Sequence, residues 1–295
     1  MHRLTALMLG STLAFAIAGS VLAAANEQGH AAAGIEESDG PDLKSAAAIV
    51  IEQGGGQVFY AKNIESVVPI ASITKLMTAM VVLDANQPLD ERITVTVADL
   101  DDIKGTRSRL KVGTTLTRGE LLHLALMSSE NRAAAALGRS FPGGFRAFVA
   151  AMNQKAVELG MWRSWFVDGT GLSSENVSTA QDLVKLAEAA YQYPLIREYT
   201  THSDHRLQLA NGRSITYRNS NGLVKNPEWT IGLSKTGYIS EAGRCLVIQA
   251  RIAARPVIIV LLDSWGKLTR IGDANRIKRW METHNIQRAS ARPGG

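Results

Sequence analysis

Ser72 stands three residues before Lys75 in the string Ser72-Ile-Thr-Lys75. Serine is a weak nucleophile and needs a base beside it. On a helix these two side chains share a face. Lysine can act as that base when burial or a second cation lowers its pKa. In a first helical turn Ser72 would also sit among unpaired backbone N–H groups, which suit a developing oxyanion. Alone, the spacing is common by chance and fits a helix cap followed by a solvated lysine better. The apolar run Ile73 to Leu83 argues for the chemical reading, because a solvated lysine would be out of place inside it.

Two further strings follow in order. Ser129-Glu-Asn131 lies at the joint of two Ala/Leu-rich stretches. Its hydroxyl and amide can point into a cleft and relay or position a proton. It can also be a cap at Ser128 or Ser129 with Asn131 in the first turn. Lys235-Thr-Gly237 ends an expected strand and precedes Tyr238. A strand edge can dock an extended peptide by strand addition. There Lys235 and Thr236 can hold a terminal carboxylate, and Gly237 lets a substrate backbone approach without a Cβ in the way. Lys235 is also a candidate for the second cation that can lower the Lys75 pKa. Taken singly, the last string reads better as an edge lysine and a turn glycine. Jointly, the order and separate contexts make coincidence improbable.

These strings need a sheet and helices to hold them. Ala47 to Glu52 and Gln57 to Ala61 read as a hairpin around Gly54-Gly-Gly56. Ser66 to Ile70 reads as extended, and Ser72 to Leu83 as a helix buried on nearly all sides. Thr117-x-x-Glu120 is a capping box opening Leu121 to Leu126. Glu130 to Leu137 reads as a helix ending at Gly138. Gly144 to Leu159 has helical spacing at Phe145, Phe148, Val149, Met152, Ala156 and Leu159. Ser178-x-x-Gln181 is a second capping box, opening Asp182 to Tyr191, with Pro194 beyond its end. Arg206 to Ala210 and Arg213 to Tyr217 flank Asn211-Gly212 as a hairpin. Trp229 to Thr236, Arg244 to Ile252 and Pro256 to Asp263 read as successive strands, and Arg270 to His284 as a closing helix. Strands, then helices, then strands predict an α+β fold: an antiparallel sheet flanked by helices, with a helical subdomain walling the site.

The chain has 295 residues, 45% of them hydrophobic and 20% charged, with a formal charge of +5. Its Lys and Arg are dispersed, which argues against nucleic acid. A mildly basic surface suits an anionic polymer. Residues 1–25 read as a signal peptide: His2 and Arg3, an apolar run from Leu4 to Leu22, then the small-residue exit Ala23-Ala-Ala25. An uncleaved anchor is the alternative. No later run approaches the roughly 18 apolar residues a spanning helix needs, so the mature chain is expected to be exported with no stable membrane anchor. Residues 26–45 read as a flexible lead-in, 46–286 as one domain and 287–295 as a disordered tail. Cys245 sits in an apolar strand-like run and reads as a small buried hydrophobe, against a nucleophile as the other possibility.

The motif set is the one shared by penicillin-binding proteins and class A β-lactamases. The stretches Pro69 to Asp84, Leu124 to Ala135, Asn176 to Ala180 and Leu233 to Gly237 resemble the D-alanyl-D-alanine endopeptidases, small low-molecular-mass penicillin-binding proteins, over roughly 46–285. The resemblance implies a penicillin-binding/β-lactamase-like fold and a periplasmic serine DD-peptidase acting on peptidoglycan peptide stems without metal or cofactor. Ser72 would form the acyl-enzyme, Lys75 would take its proton, and Ser129 would lie in the proton path. Asn131, Lys235, Thr236, Gly237 and Tyr238 would bind substrate, with the N–H groups of Ser72 and Tyr238 as oxyanion hole. β-lactams would be covalent inhibitors. Carboxypeptidases of the family often carry a second β-domain and a C-terminal membrane helix, for which this chain has no room; the expectation is therefore cleavage of D-Ala–diaminopimelate crosslinks. Removal of terminal D-Ala by a DD-carboxypeptidase is an alternative. A β-lactamase is another, with Glu175 as a stand-in for the deacylating carboxylate, although the loop Asp168 to Ser174 does not look like a β-lactamase loop. A non-enzymatic β-lactam sensor is the third.

Overall fold

A computed structural model describes residues 40–209 and 212–290, so the expected signal peptide, most of the lead-in and Asn211 lie outside the described residues. The strands are β1 (Ser45–Glu52), β2 (Val58–Lys62), β3 (Val68–Pro69), β4 (Arg92–Thr94), β5 (Thr115–Thr117), β6 (Val177–Ser178), β7 (Asp204–Gln208), β8 (Ser214–Arg218), β9 (Thr230–Ile239), β10 (Gly243–Ile252) and β11 (Arg255–Ser264). The helices are α1 (Thr74–Asp84), α2 (Arg118–Met127), α3 (Asn131–Arg139), α4 (Gly144–Glu158), α5 (Ala180–Tyr191), α6 (Pro194–Thr201) and α7 (Thr269–Ser290). The α+β expectation holds.

The main sheet has five antiparallel strands in the order β2-β1-β11-β10-β9. Its central strands are apolar at nearly every position because both faces are covered. Successive residues alternate between two cores: Ile258 and Val260 face the helical body, whereas Val257, Ile259 and Leu261 face α7 through Ala274, Ile277 and Met281. Each face thus buries its own set at period 2. On the helical side α1 is buried from Thr74 to Val82, as a core helix with no solvated stripe must be. Among the described residues β9 pairs only with β10, and no strand pairs with its other edge.

Several local expectations shift, each for a visible reason. β9 runs on to Ile239, so Lys235-Thr-Gly237 lies inside the strand and not at its end. The cap of α5 is Thr179, whose hydroxyl accepts from Asp182 N, and not Ser178. Ser178 is held in β6 opposite Val68, with its Oγ 2.8 Å from Ser164 Oγ. Pro194 does not merely follow α5; it opens α6 at the N-terminal position where a missing N–H costs nothing. Phe145 is 48% exposed while Phe148 and Met152 are buried, so the α4 stripe is narrower than its spacing suggests. The closing helix extends to Ser290, through the first residues of the expected tail. The pair β4–β5 has no counterpart in the sequence reading. Cys245 is buried, and desolvation raises its thiol pKa to about 11. Among the described residues no helix is long and apolar enough to cross a membrane.

Candidate active site

Ser72 lies in a single 3₁₀ turn, Ala71–Ile73, that precedes α1. It therefore enters the helix through a tighter turn than the expected α-helical start. Ala71 has φ 47°, a left-handed conformation costly for a residue with a Cβ. The segment 168–172 clamps it there: a Cβ at Gly171, itself at φ +74°, would lie 2.0 Å from the Ala71 carbonyl oxygen. Asp168 shapes that segment. Its carboxylate accepts from the backbone N–H of Thr170, Gly171 and Ser173, from the Thr170 hydroxyl and from Asn176 Nδ2.

Lys75 is fully buried on α1. Its Nζ lies 2.8 Å from Ser72 Oγ, 2.8 Å from Asn131 Oδ1 and 2.6 Å from the Thr170 carbonyl oxygen. Burial lowers its pKa to about 7, against the opposing pull of Asp168 and Glu130. Amine and ammonium thus coexist near neutrality. A neutral amine has two N–H bonds and one lone pair. The Thr170 and Asn131 oxygens can only accept, so they take the two N–H bonds. The lone pair is left facing the Ser72 hydroxyl.

The second wall begins at the α2–α3 joint. Glu130 caps α3 by accepting from Arg132 N, and the Ser128 hydroxyl turns back to the Leu124 carbonyl. Neither serine is the cap. Ser129 sits between them with φ 61°, and its Oγ accepts from Lys235 Nζ at 2.9 Å. A non-glycine residue held left-handed costs about 1–3 kcal/mol and persists only when its surroundings demand it. Here the reversal aims the Ser129 hydroxyl across at β9.

On β9, Lys235 is buried and also donates to the Thr236 carbonyl at 2.8 Å. Burial, then Lys75 and Arg270, push its pKa well below the usual lysine range. Thr236 Oγ1 donates to Ser220 Oγ at 2.7 Å. Gly237 is required: its Cβ would lie 2.8 Å from the Ile70 carbonyl oxygen and 3.1 Å from Ser72 N. Next along the strand, Tyr238 is 56% exposed with the Arg244 guanidinium 4.4 Å from its ring centroid. Of the eight residues singled out in the sequence, the structure joins Ser72, Lys75 and Asn131 by hydrogen bonds, joins Ser129 to Lys235, and packs Gly237 against the backbone of Ser72; Thr236 and Tyr238 flank Gly237 on β9, tied to Ser220 and Arg244. Glu175 is exposed, and among the described residues it hydrogen-bonds to none of them; its backbone N–H donates to Ser173 Oγ. A cavity of about 240 Å³ adjoins the cleft at Asn131 and Thr170, with Leu100, Ile103, Phe145 and Leu172 among its walls.

Sequence reasoning missed four groups. Thr170 offers Lys75 a carbonyl, Thr106 supports Asn131, Ser220 accepts from Thr236, and Arg270 Nη1 donates to the Gly237 carbonyl at 3.3 Å. Asp168-Gly-Thr-Gly171, a carboxylate followed by closely spaced glycines, carried a tight-loop signal that could have drawn attention to Thr170. The other three act across distant parts of the chain and leave no local trace.

Comparison with known proteins shows the family and the fold. A family profile described as D-alanyl-D-alanine carboxypeptidase matches residues 34–266. The chain is 48% identical over 246 residues to a D-alanyl-D-alanine endopeptidase of Pseudomonas aeruginosa, covering 83% of this chain and 79% of that one. It is 45% identical over 247 residues to a D-alanyl-D-alanine endopeptidase of Escherichia coli, covering 83% and 80%. The crystal structure of the Streptomyces K15 DD-transpeptidase superposes with a TM-score of 0.75 at 28% identity, covering 81% of this chain and 97% of that one.

Proposed function

The chain belongs to the D-alanyl-D-alanine carboxypeptidase family of peptidases, and from that premise we propose that it is an exported serine endopeptidase that hydrolyses D-Ala–diaminopimelate crosslinks of peptidoglycan. The observation that carries the reading is Lys75 Nζ, buried, 2.8 Å from Ser72 Oγ and with a pKa near 7. The names of the relatives that share nearly half of its residues support the endopeptidase choice.

In this reading the donor peptide lies along the open edge of β9 as an added strand. Lys235 and Thr236 hold a substrate carboxylate, and that anion returns Lys235 toward its charged form. Ser72 Oγ attacks the D-Ala carbonyl carbon while its proton passes to neutral Lys75. The backbone N–H groups of Ser72 and Tyr238 receive the oxyanion. As the C–N bond breaks, the Lys75 ammonium returns the proton, by way of Ser129, to the departing amine. Water then attacks the ester and gives a proton to Lys75. That proton moves to Ser72 Oγ as the acyl C–O bond breaks. A β-lactam enters the same first step and stays as the acyl adduct. Residues 1–25 carry the chain to the periplasm before removal.

Incubation with crosslinked dimeric muropeptide tests the reading. Conversion of dimer to monomer is expected. Loss of terminal D-Ala alone would make the protein a carboxypeptidase, and no change in either would sink the hydrolase reading. Ser72→Ala should abolish labelling by a fluorescent penicillin, and retained labelling would remove Ser72 from its role.

A further inference from the structure

The loop between β4 and β5 is hydrogen-bonded to Asn131 through Thr106. Thr106 Oγ1 accepts from Asn131 Nδ2 at 2.9 Å and donates to Asp101 Oδ2 at 2.6 Å. Asp101 is in turn built into the loop. Its carboxylate also accepts from the backbone N–H of Ile103, Lys104 and Thr106 at 2.9, 2.9 and 2.7 Å. Desolvation pulls its pKa upward, but these N–H groups and the Thr106 hydroxyl outweigh it and leave the pKa below the usual value, so the group stays ionised near neutrality. The far side of the loop is tied as well, by the ion pair of Lys104 with Glu241 in the β9–β10 turn.

The direction of every hydrogen bond in this chain follows from one fact: an ionised carboxylate only accepts. The Thr106 proton must therefore point to Asp101. The hydroxyl keeps only lone pairs for Asn131, so Asn131 must turn its NH2 group toward Thr106. Its Oδ1 then faces Lys75 Nζ, where it lies at 2.8 Å. The Thr170 carbonyl takes the other N–H of the amine, and the lone pair points at Ser72. With the amide reversed, Asn131 would donate to Lys75, occupy that lone pair and draw it off the serine.

We infer that Asp101 and Thr106 are positioning residues which, through the amide of Asn131, orient the Lys75 lone pair toward Ser72. The inference rests on the reading of Lys75 as the base. It gives the β4–β5 loop a part in the acylation step without contact with substrate, and sets it one hydrogen bond beyond Asn131.

The test is the pH profile of acylation by a fluorescent penicillin, followed as kcat/KM-type second-order rates. Thr106→Val keeps the shape of the side chain but removes the hydroxyl. Its plateau should fall about tenfold, the size of one misaligned buried hydrogen bond. Its acidic limb should move to lower pH, because an N–H facing Lys75 disfavours the ammonium. Thr106→Ser should restore both. Asp101→Asn should act in the same direction, and the double variant should lose no more than the single ones. An unchanged plateau and limb in Thr106→Val, an equal loss in Thr106→Ser, or losses that multiply in the double variant would each overturn the proposal. If the Asp101 variant fails to fold, the two Thr106 variants decide alone. Labelling that survives Ser72→Ala would strike at the underlying reading, whereas an unaltered Thr106→Val beside a dead Ser72→Ala strikes at the relay only.

Discussion

Two buried lysines face the same cleft from opposite walls. Lys75, on α1, is surrounded by three oxygen acceptors and feels the carboxylates of Asp168 and Glu130. Lys235, on β9, donates to Ser129 and the Thr236 carbonyl and feels the like charges of Lys75 and Arg270. Burial lowers the pKa of both, but the surrounding field opposes that shift at Lys75 and reinforces it at Lys235. The first is held near neutrality, where a proton can go either way. The second gains most from an arriving anion. Among the described residues neither has a carboxylate within ion-pair distance. The helix wall is thus suited to proton transfer and the strand wall to holding charge.

Substitution at Lys75 should break this contrast most. Lys75→Met should cut the rate of penicillin acylation by about 10³-fold, the usual worth of a general base, as measured by stopped-flow or gel labelling. A loss under tenfold would move the base elsewhere. Lys235→Met should act mainly on binding. We expect KM for a carboxylate-bearing peptide to rise about 10–100-fold, with a smaller effect on a substrate in which that carboxylate is amidated. Equal losses on both substrates would erase the division of labour between the walls.

pH sharpens the same comparison. Acylation should rise through pH about 7 as Lys75 loses its proton. Stability should rise with it. The folded state holds Lys75 near 7 while the unfolded chain keeps the ordinary 10.5. Between those values the unfolded chain binds more protons, so raising pH favours the folded state. This contribution is read as the difference in denaturant midpoint between wild type and Lys75→Met across pH 7 to 10. The smallest effect is expected away from both walls. Cys245→Ala should cost about 1–2 kcal/mol of stability, from the small void it leaves, in a thermal melt, with penicillin labelling unchanged.

Much of the site was legible because its groups come in short strings with distinct local settings. The Ser72–Lys75 spacing survives in the structure as a 2.8 Å contact, although a 3₁₀ turn and not an α-helix delivers it. Gly237 was read as giving room for substrate; the structure adds that it also packs against Ile70 and Ser72. The cap of α5 moved by one residue because Ser178 was already committed to β6. That commitment depends on Val68, far off in sequence, and no window around Ser178 contains it.

The sequence by itself determined the candidate side chains, the α+β order of elements and the burial of α1, because residue type and periodicity are local properties. Only the tertiary structure decided the rest. It brought the Ser129 hydroxyl to Lys235 across 106 positions and Thr170 to Lys75 across 95. It set Asp101 and Thr106 behind Asn131. It also set the protonation balance of the two lysines, because desolvation and the direction of nearby charges depend on what surrounds a group in space.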